Sequence, residues 1–194
     1  MLKKAYRRHL LMFRFAQHDN FGNSNMTIKI GDNLPAATLT ESAGQDEAKN
    51  CPMPPMPVDI AALAAGKKIV IFGLPGAFTP TCSAQHVPGY VKNFDALKAK
   101  GVDEIVCMAV NDGFVMGAWG QTQNVAGKVR MLADGSAAFT KALGLELDLT
   151  TKGMGVRCQR FSLFVDNGVV KQVNVEGVGP ANCSFAENML AQLG

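Results

Sequence analysis

A chain of 194 residues, 47% hydrophobic and 18% charged, is long enough to bury one sizeable core and too apolar to stay disordered. Its net charge of +3 sits in the first 25 residues, where Lys3, Lys4, Arg7, Arg8 and Arg14 face only Asp19; taking these from the totals of 19 and 16 leaves 14 cations against 15 acids, or −1, so the rest is no electrostatic nucleic-acid binder. Five cysteines, an odd number with no Cys-x-x-Cys, argue against a disulfide framework and against a dithiol oxidoreductase, and His86, the single histidine beyond residue 25, leaves zinc too few ligands.

The elements divide into a leader, 1–25, and one domain, 26–194. In the leader Leu2, Tyr6, Leu10 and Phe13 recur at helical spacing among basic residues, and the first 18 residues hold no acid. That pattern is similar to a mitochondrial transit peptide, with a cytosolic form expected for a chain starting at Met26. Serine is scarce for such a peptide, and the alternative is a basic helix lying on a membrane or partner surface. No apolar run approaches the ~18 residues of a membrane span.

From Met26 the alternation in Thr27-Ile28-Lys29-Ile30 predicts a strand, and Thr38-Leu39-Thr40 a second. Glu41 to Pro57 reads as a loop, because Cys51-Pro-Met-Pro-Pro-Met-Pro57 cannot be helical. Ile60 to Ala65 is a short helix stopped by Gly66, and Lys68-Ile69-Val70-Ile71-Phe72 a buried strand.

Between that strand and an amphipathic stretch with Tyr90, Val91, Phe94 and Leu97 lies Cys82. Thr79 suits an N-cap and Pro80 the first helical residue, so Cys82 falls in the first turn. Unpaired N–H groups and the helix dipole there favour an anion, and the thiolate is the nucleophilic form. The competing reading is a small buried hydrophobe, the usual state of a free cysteine.

Pro88 is expected to kink or break the following helix before it continues to Lys100, with Gly101 ending it. Glu104 to Val110 is a strand, Asp112 to Gly120 a helix, Val129 to Ala133 a strand and Ser136 to Leu143 a short helix. Leu145 to Val156 reads as a loop. Arg160 to Val165 and Val169 to Val175 flank Asp166-Asn167-Gly168, a strong hairpin signal. A last helix is expected from Ser184, where Ser184-x-x-Glu187 has the capping-box pattern. The element order is α/β, closing in a hairpin and a helix.

The stretch from Pro75 through Thr79 and Cys82 to Tyr90 resembles the active-site segment of the peroxiredoxins, in particular the type II or peroxiredoxin-5-like subfamily. Pro75, Thr79 and Cys82 fall on that family's Pro-x-x-x-Thr-x-x-Cys motif. Val110-Asn111-Asp112 with Phe114, Trp119-Gly120, Lys128-Val129-Arg130 and Arg160-Phe161-Ser162 extend the likeness from about Met26 to the C-terminus.

The resemblance implies a thioredoxin-like fold, a central mixed sheet flanked by helices. It also implies reduction of hydrogen peroxide and alkyl hydroperoxides by thiol chemistry, with no haem, metal or other cofactor. Cys82 would be the peroxidatic thiol, Thr79 would orient the peroxide, Pro75 would shield the sulfur, and Arg160 would stabilise the thiolate. Only the resemblance selects Arg160 over Arg157 or Arg130. His86, one turn after Cys82, reads as a satisfied structural residue, and Phe114 and Trp119 as core or site mouth.

Cys183 resembles the resolving cysteine of the peroxiredoxin-5 branch, in a loop after Gly177-Val178-Gly179-Pro180. Cys107, 25 residues after Cys82 as in some type II members, and an external thiol are the rivals. Cys158 and Cys51 receive no role. The electron donor would be a thioredoxin- or glutaredoxin-like protein, and the family suggests a homodimer with no nucleic-acid or membrane partner. A different class remains open at this point: a non-enzymatic redox sensor or relay, or a holdase-like interaction protein, using Cys82 alone.

Overall fold

The computed structural model describes residues 27–193, apart from 43, 47–50 and 178–180. The leader 1–25, Met26 and residues 178–180 therefore lie outside the described residues.

The apolar run predicted before Cys82 is the middle of the molecule. β5 (Lys68–Gly73) is buried from Ile69 onward on both faces, which is why it reads as continuous apolar sequence and not as alternation. It pairs in parallel with β6 (Glu104–Ala109), which pairs in parallel with β7 (Arg130–Ala133). On its other side it runs antiparallel to β10 (Phe161–Asp166), which forms a hairpin with β11 (Val169–Val175). Asn167 and Gly168, at φ 48° and 79°, take the left-handed pair of conformations that a two-residue hairpin turn requires.

β1 (Thr38–Glu41) joins β7, and β4 (Met56–Asp59) closes the far edge, giving a seven-stranded mixed sheet in the order β11-β10-β5-β6-β7-β1-β4. One face carries Val70, Phe72, Cys82, Tyr90, Leu97, Trp119 and Met189. The other carries Ile69, Ile71, Ile60, Leu63, Phe139, Leu143, Phe161 and Cys158. Helices cover both faces, as the α/β reading expects. They are α1 (Ile60–Ala64), α2 (Val87–Lys92), α3 (Phe94–Ala99), α4 (Gly113–Thr122), α5 (Ala138–Ala142) and α6 (Ala186–Gln192).

Several local expectations are corrected. Residues 27–30 do not form a strand. Ile28 and Gly31 each give one N–H, to Leu143 and Val170 carbonyls, and the Asp32 carboxylate accepts from Lys29 N–H, which folds the segment into a turn. The segment 41–57 is not wholly loop: β2 (Gln45–Asp46) pairs with β3 (Cys51–Pro52), and Pro57 lies in β4, an edge strand where a missing N–H is tolerated. The stretch 145–156 holds β8 (Glu146–Leu149), paired with β9 (Gly155–Cys158). The long helix breaks at Asn93, between α2 and α3, and not at Pro88, because a wide turn just before Pro88 takes up the mismatch. The capping box at Ser184 does not form: Phe185 is the N-cap, and the Ser184 hydroxyl goes to Glu176.

β5 and β10 approach so closely at Gly73 that a Cβ there would lie 2.1 Å from Phe161 Cε1. Gly73→Ala is expected to cost about 1–3 kcal/mol through forced repacking of Phe161. Urea unfolding of the variant against the parent measures it.

Candidate active site

Cys82 lies on the helical run that opens at Pro80, as expected, but its turn is wider than an α-turn. Cys82–His86 is π-helical, with Val87 N–H bonding the Cys82 carbonyl five residues back. In such a turn residues four apart lie close to one face. The Cys82 sulfur and the His86 ring consequently meet the same partner, the Arg160 guanidinium, although Arg160 comes from the segment leading into β10. Arg160 Nη2 donates to Cys82 Sγ at 3.2 Å, and its Nη1 donates to His86 Nδ1 at 2.9 Å.

An arginine nitrogen cannot accept a hydrogen bond, so His86 Nδ1 is the acceptor and its proton sits on Nε2. Nε2 then donates to the Ser184 carbonyl at 3.1 Å. Burial, and then the Arg160 charge, push the His86 pKa down to about 3. The imidazole is neutral and fully satisfied, yet it also fixes the guanidinium beside the sulfur. The sequence reading of His86 as a satisfied structural residue holds, and what it missed is the contact with Arg160. The available signal was its i+4 spacing from Cys82.

The loop before the helix is held by Ala77 N–H donating to Asn111 Oδ1 at 3.0 Å, and Phe78 has a positive φ of 60°. Thr79 stands just before the helix, but its hydroxyl donates back to the Gly76 carbonyl at 2.8 Å, with no bond to a helical N–H. Arg157 Nη1 reaches the Pro75 carbonyl and Asn111 Oδ1, each at 3.4 Å, so a second cation backs the loop. Arg130, the third arginine weighed, is instead spent on Glu41 and Glu104. Trp119 is buried, its ring N–H on Ser83 Oγ at 3.1 Å, and Phe114 is half exposed.

Arg160 is thus brought to Cys82, Pro75 and Thr79 lie in the braced loop before the helix, and Cys183 is not bonded to any of them: all five cysteines are unbridged. Cys183 is half-buried next to Ser184, whose carbonyl also accepts from the Tyr90 hydroxyl at 2.8 Å. Cys107 is fully buried in β6, where burial pushes its thiol well above the ordinary range. Cys158 is buried too, its thiol on the Leu74 carbonyl at 2.9 Å, and is pushed up to about 12, chiefly by burial. Among the described residues no group of three His, Cys, Asp or Glu side chains could hold a metal ion, and no helix is long and apolar enough to cross a membrane.

Residues 29–190 match the redoxin family. The chain belongs to that family and is a peroxiredoxin, a thiol peroxidase. It is 48% identical over 166 residues to Peroxiredoxin-2C of Oryza sativa subsp. japonica, covering 86% of this chain and 98% of that one. It is 44% identical to the chloroplastic Peroxiredoxin-2E of Arabidopsis thaliana, covering 86% of this chain and 70% of that one. Reduced Prx3 of Vibrio vulnificus in complex with hydrogen peroxide superposes with a TM-score of 0.78 at 49% identity, covering 86% of this chain and 96% of that one. The thioredoxin-like α/β fold expected from the resemblance is borne out with the family.

The depressed His86 pKa has a stability consequence. Between its ordinary 6.5 and about 3 the unfolded chain binds a proton that the folded chain refuses. Stability from this group is therefore complete above about pH 6.5 and falls as the pH drops, with a slope approaching about 1.4 kcal/mol per pH unit. Urea midpoints between pH 7 and 4.5 are expected to fall more steeply for the parent than for His86→Asn.

Proposed function

We propose that Cys82 is the peroxidatic thiol, that Arg160, Thr79 and Pro75 form its catalytic surroundings, and that Cys183 resolves the oxidised sulfur. The observation that supports this most directly is the Arg160 guanidinium 3.2 Å from Cys82 Sγ. A cation that cannot lose its proton is placed to pair with the attacking sulfur and to stabilise negative charge on a departing oxygen. The Cys82 thiolate attacks one peroxide oxygen, the O–O bond breaks, and the second oxygen leaves as hydroxide or alkoxide, which is then protonated. The product is Cys82 sulfenic acid.

Thr79 has a defined part in this step. Its hydroxyl proton is committed to the Gly76 carbonyl, so toward a peroxide it is an acceptor, suited to hold the hydroperoxide O–H. Arg157 on the Pro75 carbonyl supports the loop that shields the sulfur. Cys183 then condenses with the sulfenic acid, and a thioredoxin- or glutaredoxin-like donor reduces the bridge. The half-buried setting of Cys183 beside the helix of Cys82 favours it over Cys107, which is enclosed within the sheet. The exposed rings of Phe78 and Phe114 are apolar surface that supports pairing with a second copy.

Cys82→Ser is expected to abolish peroxide consumption while the fold persists. Arg160→Met is expected to slow peroxide reduction by about 100-fold and also to slow alkylation of Cys82. Substantial turnover by the serine variant would overturn the assignment. An unchanged alkylation rate in Arg160→Met would transfer the role to Arg157.

Residues 1–25 are proposed to carry the chain to mitochondria, leaving a domain from Met26 that stays cytosolic when made alone. The support is the acid-free basic pattern of the leader. A reporter fused to residues 1–25 is expected to co-localise with mitochondria, and a diffuse signal would count against it.

A further inference from the structure

The Cys183 turn is held from two sides. From the helix of Cys82, His86 Nε2 and the Tyr90 hydroxyl both donate to the Ser184 carbonyl, at 3.1 and 2.8 Å. From the opposite side, one carboxylate oxygen of Glu176 accepts the Asn182 N–H at 2.9 Å, the Ser184 N–H at 2.7 Å and the Ser184 hydroxyl at 2.6 Å. Glu176 follows β11 directly, and its own N–H donates to the Arg160 carbonyl at 2.9 Å. One residue thus ties the backbone of the arginine at the sulfur to the turn that carries the second thiol.

We propose that Glu176 is a positioning residue for resolution: its carboxylate clamps the turn of residues 182–184 and keeps Cys183 in reserve until that turn is released. This rests on Cys183 being the resolving thiol. Three donors to a single oxygen are more than a solvated surface carboxylate collects, and they bracket Cys183 on both sides in sequence. The charge acts on the thiol as well. Burial, and then the Glu176 carboxylate, push the Cys183 pKa up to about 11. Burial works against the Glu176 charge, but bonds from Ser184, Asn182 and the Cys183 thiol hold its carboxyl below the ordinary range. The other titratable and charged groups around this turn are neutral His86 and Tyr90 on the helix side, Arg160 behind His86, and Glu187 on α6, which bonds Asn93.

The step being restrained is balanced as follows. Cys183 sulfur attacks Cys82 sulfur, the S–S bond forms and the Cys82 S–O bond breaks. The Cys183 proton leaves with the hydroxyl group as water. Cys183 is oxidised at the expense of the sulfenic sulfur, whose oxidising equivalent came from the hydroperoxide. When the Cys82 turn opens, His86 moves with it and its bond to the Ser184 carbonyl is lost, while the Tyr90 hydroxyl, the Asn188 amide on the Cys183 carbonyl at 2.6 Å and the Glu176 carboxylate with its three bonds still hold the turn.

The test uses the full chain with E176Q and S184A. Each reduced protein receives one equivalent of hydrogen peroxide, is quenched by alkylation at timed intervals and is peptide-mapped. Alkylation of Cys183 in the reduced protein is followed against pH. E176Q is expected to form the Cys82–Cys183 bridge at least about threefold faster, with the Cys183 alkylation profile displaced to lower pH. S184A is expected to accelerate the bridge with a smaller displacement, because the charge remains. A bridge forming no faster in either variant, or an alkylation profile unmoved in E176Q, overturns the role of Glu176. A parent chain that forms no Cys82–Cys183 bridge overturns the assignment of Cys183, and the inference with it.

Discussion

One guanidinium organises the molecule. Arg160 donates to the Cys82 sulfur with one nitrogen and to His86 with the other, and its carbonyl receives the Glu176 N–H. A charge this close to the core needs a fixed set of partners. The partners come from the helix after β5 and from the end of β11, so neither the site nor its support is local in sequence. The antiparallel register that sets Phe161 opposite Gly73 determines where Arg160 emerges, at the end of the strand that leads into the Cys82 loop.

His86 shows how a buried polar group can serve two purposes. Its neutral ring offers one acceptor and one donor, and both are used, toward Arg160 and toward Ser184. A charged ring could not accept from the arginine, so the same burial that suppresses protonation preserves the guanidinium's orientation. The line Cys82–Arg160–His86–Ser184 thus joins the Cys82 sulfur to the segment holding Cys183 through consecutive hydrogen bonds.

The strands of the centre were legible because burial on both faces writes itself as uninterrupted apolar runs, as in Ile69–Phe72 and in Ile105–Ala109. The β10–β11 turn was legible because Asn167-Gly168 encodes its own backbone angles. The edge elements were not. Pro57 argued for a loop, and nothing local to it announces an edge strand whose partner is β1. Ser184 and Glu187 matched a capping box, but Glu176, outside any local window, competed for the hydroxyl. Cys82, Thr79 and Pro75 are readable together because they are neighbours, whereas the choice among three arginines is made by strand register, which periodicity does not carry. His86 was read as structural because a sequence shows its spacing but not the donor that fills its second nitrogen.

The π-turn at Cys82–His86 contains one residue more than an α-turn between the same ends. Each residue of an α-helix turns the chain by about 100°. Tightening this turn by a single deletion would therefore swing the sulfur away from Arg160 while α2, anchored by Tyr90 stacked on Phe72 at 3.9 Å, stayed in place. The angular phase between the packed half of the helix and its Cys82 end is set by that one inserted residue. Within the turn only the exposed Ala84 and Gln85 are free to vary in side chain, and its length is fixed by the direction in which Cys82 meets Arg160.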